Sequence, residues 1–306
     1  MRIDLHSHSS VSDGLDSPGQ LVGKMRDAGI EAFALTDHDT LQGLPEAREE
    51  AERLGLELIP GAEISADFQD QDDVHILALF VDEKNDRFNS RLSERQGNRR
   101  RRGELMAENL IKAGYPLDLD AVREDVGDGV WGRPHLARAL IRAGHASSND
   151  DAFDRFLGRE KPWYVPSTKW QAADVLRTIH EAGGVSSLAH AIWYRDSDAL
   201  IRALAPAGLD ALEVFHPDHG PEEEARFGAL ARDEDLLVTA GSDFHGTPEG
   251  RKHPGGVTGT AEMAAVPPPN WAVATRPCPV ARSRASRPAI LSAAVASTVP
   301  NPTSSS

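Results

Sequence analysis

Seven short apolar runs alternate with stretches of helical periodicity, and most of the runs empty into a histidine or a carboxylate. The first, residues 1–5, leads into His6-Ser7-His8, with Asp13 following on a Ser/Gly-rich loop. Residues 31–36 lead into Asp37-His38-Asp39, and Leu56–Pro60 into Gly61-Ala62-Glu63. Val74–Val81 carries His75 near its start. Further on, Val185–Ala189 ends at His190, Ala211–Phe215 at His216, and Leu236–Ala240 at Gly241-Ser242-Asp243-Phe244-His245. Between the first two runs, Ser17-Pro18 opens and Gly29 closes a helix, and a second helix spans Leu44 to Leu54 ahead of Gly55. Helices over 171–182, 196–205 and 221–232 separate the later runs. A β-then-α repeat of this kind favours a parallel sheet or barrel.

The alternation breaks in the middle of the chain. Arg91 to Ala113, Asp118 to Val126, Arg133 to Ala143 and Asp150 to Leu157 read as helices with no buried strand among them. The expected organisation is therefore a barrel in two parts, residues 1–82 and 170–262, interrupted by a helical insertion over 83–169. Residues 263–306 are rich in Ala, Pro and Ser, hold four arginines and no acid, and lack an amphipathic period; they read as a disordered or atypical tail.

Composition narrows the chemistry. A chain of 306 residues can bury a substantial core. No run approaches the roughly 18 apolar residues of a membrane span, and no secretion signal is visible. The single cysteine, Cys278, fits a reducing, cytoplasmic setting, and it leaves any metal site to nitrogen and oxygen donors, with 12 histidines available. A net charge of −15 disfavours stable binding to double-stranded DNA. A phosphorylated substrate would need bound cations or a focused arginine cluster to reverse the local field.

Residues i and i+2 of a strand point the same way, so His6 and His8 can share a cation. Taken alone, that pair is equally readable as a surface His-x-His. The wider set is harder to dismiss: His6, His8, Asp13, His38, Glu63, His190, Asp243 and His245 at strand ends, with His75 inside a strand. In a parallel barrel those ends share one rim. So many partly buried ionisable groups would cost several kcal/mol each if left unpaired, and metal ions are the natural compensation. Mixed His/carboxylate donors suit zinc, manganese or iron rather than calcium, and three cations would use the whole set.

Here the chain resembles a known family. His6-Ser-His8, Asp13-Gly, Thr36-Asp-His38-Asp, Gly61-Ala-Glu63-Ile-Ser, His75-Ile-Leu, Ala189-His190 and Gly241-Ser-Asp243-Phe-His245 are similar to the motifs of the PHP (polymerase and histidinol phosphatase) phosphoesterases, over roughly residues 1–262. The resemblance is to the stand-alone bacterial branch, which includes 3′,5′-nucleoside bisphosphate phosphatases and 5′→3′ exoribonucleases of short RNA. It implies a distorted (β/α)7 barrel and a trinuclear centre. By analogy His6, His8, Glu63 and Asp243 hold one ion; Glu63 bridges to a second held by His75 and His190; Asp13, His38 and His245 hold the third. A metal-bridging hydroxide would then attack phosphorus, with no protein nucleophile. The tail departs from the charged, Trp/Arg-containing helix that commonly ends the family.

Arg133 and His135, at a Gly132-Arg-Pro-His helix start that also resembles a family motif, can grip a substrate phosphate. His216 can bind phosphate or protonate the leaving group. Arg99 to Arg102 read as a solvated helix face in preference to an anion site. Trp163, Tyr164, Trp193 and Tyr194 stay open between core packing and stacking on a base. The implied partner is a small phosphorylated substrate, a nucleotide or short RNA. A small-metabolite phosphatase acting on histidinol phosphate is the alternative enzyme, and a metal-stabilised structural module the non-enzymatic one.

Overall fold

The computed structural model describes residues 2–69, 71–126, 131–166, 170–246 and 253–254, with only the backbone of residue 72. The tail from 263 onward, with Cys278, lies outside the described residues. Seven strands, β1 (Ile3–Asp4), β2 (Ala32–Leu35), β3 (Glu57–Phe68), β4 (Gln71–Leu79), β5 (Val185–Leu188), β6 (Ala211–Phe215) and β7 (Leu237–Ala240), form one sheet in sequence order. Its ends meet. The Leu5 N–H donates to Ala240 O at 3.0 Å, the Asp243 N–H to His6 O at 2.9 Å and the His8 N–H to Phe244 O at 2.9 Å. The result is a distorted seven-stranded barrel.

An all-parallel barrel is not what forms. β4 runs antiparallel to both β3 and β5, whereas the remaining pairs are parallel. Only residues 69 and 70 join β3 to β4. Parallel neighbours need a crossover of about a dozen residues, so this link can only be a hairpin. The expected strand end at Pro60 is also wrong. β3 continues through Glu63 to Phe68, and Glu63 sits within the strand, its N–H donating to Thr36 O at 3.0 Å.

Helices α1 (Pro18–Asp27) and α2 (Leu44–Leu54) cover the first strands. Ser17 and Gln20 cap α1 reciprocally, Oγ accepting from the Gln20 N–H and Oε1 from the Ser17 N–H. α7 (Ala172–Glu181), α8 (Ser197–Ala207) and α9 (Pro221–Asp233) flank β5 to β7. Between β4 and α7 stand α3 (Asp86–Lys112), α4 (Leu119–Val126), α5 (Arg133–Arg142) and α6 (Asn149–Ala152), the last running into a π-helical turn, Phe153–Leu157. α3 begins five residues before the expected Arg91, because Asn85 Oδ1 caps the Phe88 N–H at 2.9 Å. Its first turns bury Phe88 and Leu92 in the barrel core, whereas Met106 and Leu110 join Val122, Trp131, Leu136 and Phe156 in a separate core. No helix among the described residues is long and apolar enough to cross a membrane.

Candidate metal centre

Strand ends, together with Glu63 inside β3 and His75 inside β4, bring the nine expected donors into one bowl. Glu63 lies at its centre. Its Oε1 is 2.8 Å from His75 Nδ1, 3.0 Å from His190 Nε2 and 3.5 Å from His6 Nε2; its Oε2 is 3.0 Å from His38 Nδ1 and 3.3 Å from His8 Nε2. Asp243 Oδ1 stands 3.4 Å from both His6 Nε2 and His8 Nε2, which are themselves 3.1 Å apart. Asp13 faces His38 Nε2 at 3.5 Å and His245 Nε2 at 3.3 Å. Apart from the half-buried His75 and His245, every member is buried.

The backbone that aims these groups is locally strained. His190 and Asp243 hold positive φ, 29° and 49°. Such residues cost about 1–3 kcal/mol each unless their surroundings fix them. At His190 the fixing group is Glu213 on β6, whose Oε2 accepts from the His190 N–H at 2.7 Å while Oε1 sits 3.1 Å from His6 Nδ1. At the loop bearing Asp13 it is Asp37, whose carboxylate accepts from the Ser9 N–H, Ser9 Oγ and Ser12 Oγ at 2.6–2.7 Å. Tyr194 Oη accepts from the His75 N–H at 2.8 Å. The sequence points to none of these supporting roles; Tyr194 reads there only as a residue open between core packing and stacking on a base. The signal for Glu213 was a lone charge in the apolar run Ala-Leu-Glu-Val-Phe.

Glu213 sets the tautomer of His6. Accepting at Nδ1 holds the proton there, so Nε2 is the nitrogen that would give its lone pair to a cation in the bowl. A glutamine at 213 has one acceptor for the two donors, and its amide would push the His6 proton round to Nε2. Glu213→Gln is expected to weaken metal binding about 10–100-fold with the fold retained, read by metal titration beside circular dichroism. Unchanged affinity would mean that His6 does not depend on this contact.

Charges in the bowl compensate one another. Burial drives imidazoles neutral, and it prevails at His8 and His190, pushed down to about 3 and about 4. At His6 the carboxylates of Glu213, Glu63 and Asp243 outweigh burial and raise the ring well above its usual value; Asp13 and Asp243 do the same at His245, raised to about 9. Burial would raise Asp13, Glu63 and Asp243, but the surrounding imidazoles hold all three well below the carboxylate range. Within the bowl, His8 Nδ1 and His38 Nδ1 are buried and neither makes a hydrogen bond of good geometry, although His38 Nδ1 lies 3.0 Å from Glu63 Oε2. Unpaired lone pairs beside ionised carboxylates are the donor set of a divalent cation. Four groups of three or four residues place their donor atoms within 4.8 Å of one another: His8/Asp13/His38/His245, His6/Glu63/His190, His6/His8/Asp243 and His38/Glu63/His75.

The bowl opens into a cavity of about 840 Å³ whose far wall comes from the helices between β4 and β5. Arg133 lines it, but His135 does not: its Nδ1 accepts from the Gly132 N–H at 3.1 Å and caps α5. His216 is fully buried behind Asp243, Nε2 lying 3.6 Å from Oδ2, and is not among the residues lining the cavity. The arginine run is not a solvated face throughout. Arg100 and Arg101 are the exposed pair, while Arg99 and Arg102 line the cavity, Arg99 on Asp39 Oδ2 at 3.2 Å. Trp163 packs edge-on against Tyr115, and Trp193, half-exposed, stacks on His190 at 4.0 Å.

Residues 4–115 match the PHP domain family. The chain is 37% identical over 248 residues to the 5′-3′ exoribonuclease Rnm of Escherichia coli, covering 79% of this chain and 84% of that protein. It is 32% identical over 259 residues to the 3′,5′-nucleoside bisphosphate phosphatase of Chromobacterium violaceum, covering 83% and 90%. A Bifidobacterium adolescentis structure assigned as a metal-dependent phosphoesterase superimposes with a TM-score of 0.75 at 36% identity, over 81% of this chain and 90% of that one.

Proposed function

The chain belongs to the PHP family and is a metal-dependent phosphoric ester hydrolase, and from that premise we propose that it acts on 3′,5′-nucleoside bisphosphates or 5′-phosphorylated short RNA. The observation that carries the metal chemistry is the position of Glu63, within 3.5 Å of nitrogens on five imidazoles. We assign three divalent ions, manganese, zinc or iron, to the bowl. His6, His8, Glu63 and Asp243 would hold one; Glu63, His75 and His190 the second; Asp13, His38 and His245 the third. Bound there, such ions supply Lewis-acid polarisation of the phosphoryl oxygens and activation of water.

The chain's own residues do the rest. Glu213 and Tyr194 orient the donors of the bowl. His216, behind Asp243, is a support for that carboxylate rather than a proton donor to the leaving group. Arg133 offers its guanidinium to a phosphate across the cavity, and the half-exposed ring of Trp193 is a platform for a base. Residues 83–169 serve as a lid that limits substrate size, and the enzyme works in the cytoplasm.

A substrate panel tests this reading. With manganese, the protein should turn over 3′,5′-bisphosphates and 5′-phosphorylated short RNA in preference to nucleoside 5′-monophosphates and histidinol phosphate. Chelation should abolish the activity and added manganese restore it. Equal turnover of histidinol phosphate, or activity that survives chelation, would overturn it.

A further inference from the structure

Beside the bowl, where the β4 edge of the cavity meets the helices, stands a carboxylate at the place where a phosphate would be expected to go. Asp73, nearly buried on β4, accepts from Arg133 Nη2 at 3.1 Å and from Arg102 Nη1 and Nη2 at 3.5 and 3.3 Å. Both guanidiniums are held in place from other sides. Arg102 Nε donates to Val165 O at 2.7 Å and its plane lies 5.0 Å from the Tyr164 ring; Arg133 lies 5.3 Å from Phe153 and 5.9 Å from Tyr164. Two braced guanidiniums aimed at one point are the geometry that receives a phosphate dianion. Asp73 holds φ at 59°, an uncommon backbone angle for a residue other than glycine.

Asp73 and His75 are two residues apart on one strand, and both face the cavity. Their separation along the strand is about 7 Å. That is the span between phosphates on either side of a single ribose. A substrate with one phosphate in the bowl would therefore bring its second phosphate to Arg102 and Arg133.

We propose that Asp73 is a specificity-determining residue that occupies the guanidiniums of Arg102 and Arg133 in the resting protein, so that a second substrate phosphate binds only by displacing it. This rests on the nucleotide reading above. Its consequence is selectivity. The Arg102–Asp73–Arg133 cluster carries two positive charges and one negative, so it accepts a second phosphate less tightly than the bare arginine pair would. An ordinary ion-pair latch between strand and helices would predict something different: lost stability, with no dependence on substrate charge.

In manganese-loaded protein, Asp73→Asn should lower KM for adenosine 3′,5′-bisphosphate at least about tenfold, as expected when a charged competitor is removed, and leave KM for adenosine 3′-monophosphate unchanged. A calorimetric arm in EDTA separates this inference from the functional reading, because it needs no turnover. There the variant should bind adenosine 5′-monophosphate at least about tenfold more tightly than the wild type, with adenosine unaffected. Arg102→Gln should shift the nucleotide the other way by a similar factor, and it decides the matter if Asp73→Asn does not fold. Equal changes for adenosine and its monophosphate, or none for either, would overturn the proposal. An absence of bisphosphate turnover with the binding pattern intact would overturn the functional reading alone.

Discussion

Replacing Glu63 with glutamine is expected to lower kcat/KM by at least about 10³-fold and to strip metal from the protein while the barrel stays folded. The side chain touches more of the bowl than any other, with both oxygens engaged by imidazoles from four separate segments of the chain. Glutamine keeps the shape but turns one oxygen into a donor and removes the negative charge around which His6, His38 and His75 gather. Supports of metal ligands are worth about 10–100-fold, so a group placed between two ion sites should exceed that. The fold should persist because the backbone at 63 is tied independently, its N–H donating to Thr36 O at 3.0 Å and its carbonyl accepting from the Asp39 N–H at 2.9 Å. Elemental analysis, circular dichroism and steady-state rates together give the answer. Asp243→Asn and His190→Ala should each lose metal and activity in the same direction. A Glu63→Gln protein with full metal and full turnover would remove Glu63 from the centre.

The donors were legible because they lie within short motifs at the ends of apolar runs. His6-Ser-His8 announces a shared face through the two-residue period of extended chain, whereas Asp243-Phe-His245 lies past the end of β7 and turns through the positive φ of Asp243. What positions them was not. Glu213 meets His6 across 207 residues of sequence, and no local pattern records that contact. The β3–β4 hairpin was hidden by Pro60-Gly61, which reads as a strand end. In the fold, Gly61 is instead a close approach: a Cβ there would lie 2.9 Å from Ala78 O on the neighbouring strand. The arginine run misled for a different reason. Arg95, Arg99 and Arg102 fall on one helical face by their spacing and turn inward, but the consecutive Arg100 and Arg101 masked that phase. Helical periodicity, not charge density, tells the inward arginines from the outward ones.

Gly241→Ala is expected to destabilise the protein by roughly 2–4 kcal/mol, lowering the melting temperature by roughly 5–10 °C, and to disable the metal centre as well. A Cβ at 241 would stand 2.2 Å from His6 Cβ, 2.5 Å from Glu213 Oε1 and 3.0 Å from His6 N. None of these can retreat cheaply. His6 is fixed by its carbonyl to the Asp243 N–H at 2.9 Å and by its N–H to Asp4 Oδ1 at 3.3 Å, and Asp4 also holds the Ser242 N–H at 2.9 Å. Glu213 cannot turn aside without releasing both His6 Nδ1 and the backbone of His190. One methyl group thus presses on the closure of the barrel, on the proposed ligand His6 and on Glu213, which holds His6 and His190, so stability and metal content should fall together. Gly23 in α1 is the control, since a Cβ there meets nothing within 4 Å. Gly23→Ala should stabilise by about 0.5–1 kcal/mol through helix propensity and leave activity unchanged. Thermal melts and metal analysis of the two variants side by side separate a crowded site from a general cost of replacing glycine. If Gly241→Ala melts with the wild type and binds metal normally, the packing of His6 against Glu213 is looser than these distances require.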